Sequence, residues 1–192
     1  MKKLNRCSWA SNNLLIEYHD NEWGRIVTSE QKLFELLMLE CMQAGLSWYI
    51  ILKKRENYLK TFDNFDYNLC AKYSDEFLEK QRENEGIIRN KLKIYAIRKN
   101  ALAFIEVQKE FETFYNYIWS FVEYKKINNE NRNSSDLVGK SSLSDKISKD
   151  MKKRGFSFVG STVIYSYLQA IGIINDHFID CFCYEDCKKE LD

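Results

Sequence analysis

The feature that most constrains this chain is a 3.6-residue spacing of apolar positions that recurs along it, in all but one case opened by a capping residue. Such segments run Thr28 to Ala44, Ser47 to Thr61, Ser74 to Asn84, Ile88 to Glu110, Thr113 to Val122, Ser142 to Arg154 and Ser161 to Ala170. No stretch alternates clearly enough to predict a sheet, and no internal repeat is visible. The expectation is an all-α fold. Lys125 to Ser141, polar and rich in Asn and Ser, reads as a long surface loop. With 192 residues, 45% of them apolar and 30% charged, the chain is long enough for one domain, residues 1–192, around a full core. No apolar run is long enough to span a bilayer, and the basic start has no apolar segment behind it. Neither a membrane span nor a signal peptide is expected, and the chain reads as cytoplasmic. A net charge of +1 means that any surface for nucleic acid must be local.

The segment from Thr28 holds an acid in an unusual place. Thr28 is a candidate N-cap, and Gln31 completes a capping-box pattern. Leu33, Leu36, Leu37 and Ala44 fall on one helical face, and Glu40 shares it. Gly45 then supplies a stop, and Ser47 can cap a second helix that opens with Trp48. A buried carboxylate costs several kcal/mol unless something pairs with it. Two readings satisfy that requirement. One is a structural ion pair with one of the 29 Lys and Arg residues. The other is a pocket, with an acceptor for a ligand's N–H groups on one side and an aromatic plate for stacking on the other.

The six cysteines are Cys7, Cys41, Cys70, Cys181, Cys183 and Cys187. Cys41 and Cys70 stand alone in apolar surroundings and read as core. The two histidines, His19 and His177, each lie near a terminal cysteine, and His177 and Cys181 are spaced so that both reach inward from one helical turn. Two thiolates and two imidazoles make a closed tetrahedral zinc site. Cys183 and Cys187 compete with Cys181 for the fourth place, and unrelated core and surface roles remain the alternative. The aromatics crowded between Phe114 and Phe121 read as core.

A last informative stretch is Lys152-Lys153-Arg154-Gly155-Phe156-Ser157-Phe158-Val159-Gly160-Ser161-Thr162. A basic helix end breaks at Gly155, a short hairpin follows, and Gly160 releases a new helix. The unpaired N–H groups at that N-terminus can hold a phosphate. The pattern is similar to the helix-hairpin-helix element that grips a DNA backbone without reading sequence. An ordinary inter-helix turn with a solvated basic face is the alternative.

Several runs together carry a family resemblance. They are Tyr18-His19-Asp20-Asn21-Glu22-Trp23-Gly24, Gln43-Ala44-Gly45-Leu46-Ser47-Trp48, Leu52-Lys53-Lys54-Arg55-Glu56-Asn57-Tyr58, Gly86-Ile87-Ile88-Arg89, Trp119-Ser120-Phe121-Val122, the basic hairpin above, and Asn175-Asp176-His177. In order, from about Cys7 to Tyr184, they resemble the bacterial 3-methyladenine DNA glycosylase I family. The resemblance implies a helix-hairpin-helix DNA glycosylase-like helical domain whose termini are joined by one structural zinc ion on Cys7, His19, His177 and Cys181, with Cys183 and Cys187 outside the site. It implies Glu40 as the catalytic residue and the acceptor for the adenine N–H edge, Trp48 as a stacking wall, Tyr18 as a further wall and Trp9 close by. Gly155, Gly160, Ser161 and Lys153 would hold the DNA backbone. The implied activity is base-excision repair. It is monofunctional hydrolysis of the N-glycosidic bond of 3-methyladenine in alkylated double-stranded DNA, releasing free 3-methyladenine and leaving an abasic site, with activity on 3-methylguanine left open. The implied enzyme is a monomer with no membrane partner. A non-catalytic, zinc-stapled DNA-binding module is the rival class. Two departures stand out: the Cys7–His19 segment is one residue shorter than is usual in the family, and Leu14-Leu15-Ile16 stands where the family commonly places a tyrosine. Asn175 and Asp176 occupy the region in which other superfamily members carry a catalytic aspartate.

Overall fold

The computed structural model describes residues 4–189. They form ten α-helices: α1 (Asn13–Asn21), α2 (Glu30–Gln43), α3 (Trp48–Thr61), α4 (Tyr67–Cys70), α5 (Asp75–Lys80), α6 (Lys91–Phe111), α7 (Phe114–Ser120), α8 (Ser142–Lys153), α9 (Ser161–Ala170) and α10 (Tyr184–Lys188). One difference from the all-helical expectation is a minimal parallel pair, β1 (Ile127–Asn128) against β2 (Ile174–Asn175). Two residues per strand are too few to leave an alternating pattern in the sequence.

Helix α2 is the central element. It packs against α3, α6, α7 and α9, and every residue from Leu33 to Met42 is buried. Both of its ends are tied. At the start, the Glu30 carboxylate accepts the backbone N–H groups of Phe114 (2.7 Å) and Tyr115 (2.9 Å), and so caps α7. At the finish, the buried Lys93 donates to the carbonyl oxygens of Met42 and Ala44, both at 2.7 Å, which satisfies orphan groups of the last turn. The expected N-cap is displaced by one residue, and Gln31 does not close a capping box. Ser29, not Thr28, is the N-cap and accepts from the Lys32 N–H, while Gln31 donates across to the Asn64 carbonyl. Adjacent Thr and Ser are equally able to cap, so sequence spacing could not separate them.

Other boundaries moved for similar reasons. The segment expected from Ser74 to Asn84 is α5 followed by a 3-10 turn, and the helix expected from Ile88 begins at Lys91, capped by Asn90. Helix α1 was not anticipated, although Asn12 caps it through the Leu15 N–H and Leu14, Leu15 and Tyr18 share a face. His177 and Cys181 do not share a helical turn. They lie in the irregular segment between β2 and α10.

The apolar interior has two parts. The larger is built on α2, α6, α7 and α9; the smaller gathers Cys7, Tyr18, Trp23, Leu52, Phe178 and the cysteines near the C-terminus. Trp48 packs against both, so the junction between them lies at the start of α3. Among the described residues, no helix is long and apolar enough to cross a membrane.

Candidate active site

A cavity of about 340 Å³ opens at that junction. Four helices supply its walls: Leu15 and Tyr18 from α1, Glu40 and Gln43 from α2, Trp48 and Tyr49 from α3, and Ser166 and Gln169 from α9. Trp9, Trp23 and Leu137 come from connecting segments. The sequence reading had placed Glu40, Trp48, Tyr18 and Trp9 in one site, and the fold brings all four together. The Tyr18 and Trp48 rings lie 5.1 Å apart and tilted, leaving one aromatic face of the cavity formed by two different helices.

The polar atoms of this cavity are left wanting. Glu40 is 3% exposed, and its Oε2 has no hydrogen-bond partner. Burial alone raises its carboxyl from 4.5 to about 8. Among the described residues no cation pairs with Glu40 to offset the burial, so the structural ion-pair reading fails there. The Trp48 indole N–H is likewise buried and unpartnered. Among the described residues a third such atom, Trp119 Nε1, sits in the main core, away from the cavity lining. Tyr18 is pushed well above its ordinary value, first by burial and then by Glu40, so it faces the cavity as a neutral phenol.

The three helices that carry Tyr18, Glu40 and Trp48 are cross-tied below the cavity by Arg55 on α3. Its guanidinium grips Glu22, the C-cap of α1, at 2.7 and 2.8 Å, and Glu35 of α2 at 2.8 Å. A planar fork that engages two carboxylates fixes orientation as well as distance.

Beside the aromatic wall, Cys7, His19, His177 and Cys181 converge with all four ligand atoms within 4.8 Å of one another. The Sγ of Cys181 lies 3.5 Å from His19 Nε2 and 3.6 Å from His177 Nδ1, and the Sγ of Cys7 lies 3.7 Å from His177 Nδ1. The far ring nitrogens are also engaged: His19 Nδ1 with Asp20 at 2.8 Å, and His177 Nε2 with the Trp23 carbonyl at 3.1 Å. Those partners leave one imidazole lone pair of each histidine aimed at the two sulfurs, an arrangement that fits a metal ion. Gly24 is required here, because a Cβ at that position would lie 3.0 Å from His177 Nε2 and its φ is +76°. Cys183 is buried nearby, close to His19 and Asp20, and Cys187 donates weakly to the Trp23 carbonyl.

The glycine-bounded hairpin lies between α8 and α9, at the N-terminal end of the helix that brings Ser166 and Gln169 to the cavity. Its backbone is preset by side chains. Asn100 of α6 accepts the Ser157 N–H at 2.7 Å and donates to the Ser157 carbonyl at 3.0 Å, and Ser148 donates to the Val159 carbonyl at 2.6 Å. Phe158 holds a left-handed φ of +58°, costly for an aromatic residue and maintained by packing on the core. Gly160, the N-cap of α9, offers no side-chain hydrogen bond, so the first N–H groups of that helix stay open beside Ser161. Lys152 and Lys153 are exposed. Arg154 is turned back, bonded to Asp150 at 2.7 Å and Glu110 at 2.6 Å and stacked over Phe111 and Tyr117.

The model of the methyladenine glycosylase family matches residues 8–184 of this sequence. The chain belongs to the methyladenine glycosylase family. It is similar to DNA-3-methyladenine glycosylase 1 of Escherichia coli (strain K12), with 45% identity over 186 residues, 96% of this chain and 100% of that one. A crystal structure of a 3-methyladenine DNA glycosylase I matches with a TM-score of 0.91 at 44% identity, covering 94% of this chain and all of that one. A structure of the Staphylococcus aureus 3-methyladenine DNA glycosylase I, concerned with recognition of 3-methyladenine, matches with a TM-score of 0.91 at 29% identity over 98% of this chain and 99% of that one.

Several lining residues of this methyladenine glycosylase were not singled out from sequence. Ser166 and Gln169 sit three apart on α9, a spacing that puts both on one face and could have marked them once Glu40 was placed. Leu15, noted as a departure from the family pattern, is part of the cavity wall. Leu137 had no signal, since the Leu137-Val138 pair stands in a polar loop with no helical or strand spacing around it.

Proposed function

We propose that this glycosylase excises 3-methyladenine from alkylated duplex DNA by hydrolysis of the N-glycosidic bond, and that the cavity around Glu40 and Trp48 receives the extruded base. The observation that carries this reading is the pair of buried, unpartnered polar atoms, Glu40 Oε2 and Trp48 Nε1, on two neighbouring helices that line an aromatic cavity. Unsatisfied buried groups persist in a fold where a ligand satisfies them. A methylated adenine offers an N–H edge to the acid and a flat face to the rings. In DNA the base methylated at N3 is cationic, so its bond to the sugar is already weakened and it leaves without protonation. Its charge favours the Glu40 carboxylate and the π faces of Trp48 and Tyr18, the latter worth about 2 kcal/mol when desolvated. Water then attacks the sugar carbon, the free base departs and an abasic site remains.

No lysine lines the cavity, and the buried Lys93 is held by two carbonyls of α2, so a covalent imine route has no nucleophile here among the described residues. Extrusion costs a few kcal/mol and is met by backbone contacts. The hairpin acts as a helix-hairpin-helix element: the open N–H groups at Gly160 and Ser161 take a phosphate, Gly155 makes the turn, and Lys153 adds charge. The Cys7, His19, His177 and Cys181 set suits zinc. In a zinc tetrahedron the sulfur–nitrogen edge is about 3.6 Å, and soft thiolates with imidazoles favour that ion. Held by these four residues, zinc would supply a structural tie between the termini rather than chemistry at the base. The enzyme acts as a cytoplasmic monomer. A non-catalytic DNA-binding module would have no use for an unpaired acid in an aromatic cavity.

Incubation of the purified protein with methylated duplex DNA tests the proposal. Free 3-methyladenine should appear, with strands intact until alkali or an abasic-site lyase is added. Absence of free base, or strand cleavage through a trappable imine, overturns it. Cys181→Ser should lose bound zinc and stability together, with activity falling only as folded protein is lost.

A further inference from the structure

A second buried carboxylate lies behind the cavity, and nothing in the proposed chemistry uses it. Asp176 is 1% exposed and follows β2. Its Oδ1 accepts from Asn129 Nδ2 at 2.6 Å and Asn131 Nδ2 at 2.9 Å, and its Oδ2 accepts from the Tyr165 hydroxyl at 2.8 Å and Gln169 Nε2 at 2.6 Å. All four donors are neutral. Two belong to the loop after β1 and two to α9, so a single side chain joins the loop to the helix.

Both partners lead to the base cavity. Gln169 lines it directly. The loop carries Leu137, which also lines it while the residues from Arg132 to Asp136 are exposed. Backbone bonds from Asn129 N–H to the Asn175 carbonyl (3.0 Å) and from Ile179 N–H to the Asn131 carbonyl (2.9 Å) hold the start of the loop in register. Asp136 closes the loop on itself by accepting the Arg132 and Asn133 N–H groups. Asp176 also fixes which way the Gln169 amide faces. A carboxylate only accepts, so Gln169 turns its nitrogen to Asp176 and keeps Oε1 as the acceptor it can offer a base.

We infer that Asp176 is a positioning residue that sets two walls of the base pocket, the Gln169 amide and the Leu137 loop, and takes no proton from the attacking water. A general base needs a free lone pair within reach of that water. Asp176 has each oxygen doubly engaged and does not line the cavity. The inference rests on the assignment of this cavity to the base.

Asp176→Asn keeps the size but turns one acceptor into a donor that faces donors. Free 3-methyladenine affinity should fall about tenfold, the scale of one lost hydrogen bond to a charged group. The single-turnover excision rate at saturating enzyme should change less than that. Amide exchange across residues 129–137 should speed up. Leu137→Ala should weaken the base as well, and adding it to Asp176→Asn should cost little more, because coupled residues are non-additive. The reciprocal pair Asp176→Asn with Asn129→Asp restores one donor–acceptor match and should recover part of the affinity. Asn131→Ala, which removes one donor only, gives a milder form of the same losses where Asp176→Asn folds poorly. A fall of about a hundredfold or more in the single-turnover rate with base affinity intact would identify a general base and overturn the inference. So would unchanged exchange at 129–137 with unchanged affinity. Glu40→Gln serves as the control: if it too binds free base normally, the cavity assignment itself has failed, whatever Asp176 does.

Discussion

Glu40 and Asp176 are carboxylates buried to nearly the same depth, at 3% and 1% exposure, in opposite electrostatic settings. Asp176 receives four hydrogen bonds from neutral donors. Glu40 has an oxygen with none, and burial lifts its carboxyl to about 8. The first arrangement stabilises an anion by fixed dipoles and leaves nothing to offer a ligand. The second keeps acceptor capacity in reserve at a cost to the empty fold. Depth of burial therefore does not identify a functional acid; the state of its lone pairs does.

The comparison breaks most visibly in stability. Asp176→Ala leaves four donors without that acceptor, two of them on the buried Asn131 and Tyr165, and should destabilise the fold by about 3 kcal/mol, measured by urea unfolding. Glu40→Gln removes an uncompensated buried acid and should not lower stability at neutral pH. Equal losses at the two positions would remove the distinction.

Base affinity should reverse the order. Glu40→Gln should weaken binding of free 3-methyladenine by about 1.5–3 kcal/mol, the scale of a hydrogen bond to a charged group. Trp48→Ala should cost about 1–3 kcal/mol for the lost stacking face. Calorimetric titration reads both. Binding to undamaged duplex should stay unchanged in each variant, since backbone contacts supply that affinity.

The pH dependence of stability offers a further test. The folded carboxyl of Glu40 titrates near 8 and the unfolded one near 4.5. Between those values the folded chain holds a proton that the unfolded chain releases. The Glu40 contribution is thus fully present below about 4.5, declines as pH rises toward 8 and is flat beyond. The slope reaches at most about 1.4 kcal/mol per pH unit. Urea midpoints of wild type and Glu40→Gln across this range should diverge, with the wild type losing ground. Parallel curves would mean that Glu40 is ionised in the empty cavity.

The two acids also differ in how far the sequence exposes them. Glu40 was legible because Leu33, Leu36 and Leu37 mark its helical face and Trp48 follows one glycine turn later; both facts are local. The role of Asp176 depends on Asn129 and Asn131, which sit in a polar stretch that reads as solvated loop. The two-residue β1–β2 pairing and the backbone bond from Ile179 to Asn131 bring that stretch beside Asp176. The same limit explains the cysteines. Cys7, His19, His177 and Cys181 could be nominated from the family resemblance, whereas the helical turn expected for His177 and Cys181 proved irregular. Spacing describes one element at a time, and the cluster is assembled from three separate segments.

The hairpin repeats the contrast with cations in place of acids. Lys153 is exposed at the end of α8, while Arg154 beside it is engaged with Glu110 and Asp150 and lies over two aromatic rings. If the free group serves the ligand and the engaged one serves the fold, replacing each should register in a different measurement. Lys153→Ala should weaken binding to every duplex by a few-fold, regardless of sequence or damage, and should lower the slope of log affinity against log salt by about one. Its unfolding midpoint should not move, because an exposed lysine contributes little to stability. Arg154→Ala should leave the salt slope in place and lower stability by about 1 kcal/mol, through loss of its carboxylate partners and its packing over Phe111 and Tyr117. Duplex titrations at several salt concentrations, beside urea unfolding of both variants, separate the two. A salt slope that drops in Arg154→Ala and holds in Lys153→Ala would show that the ion pairs open on DNA and that the engaged cation, not the free one, meets the phosphate.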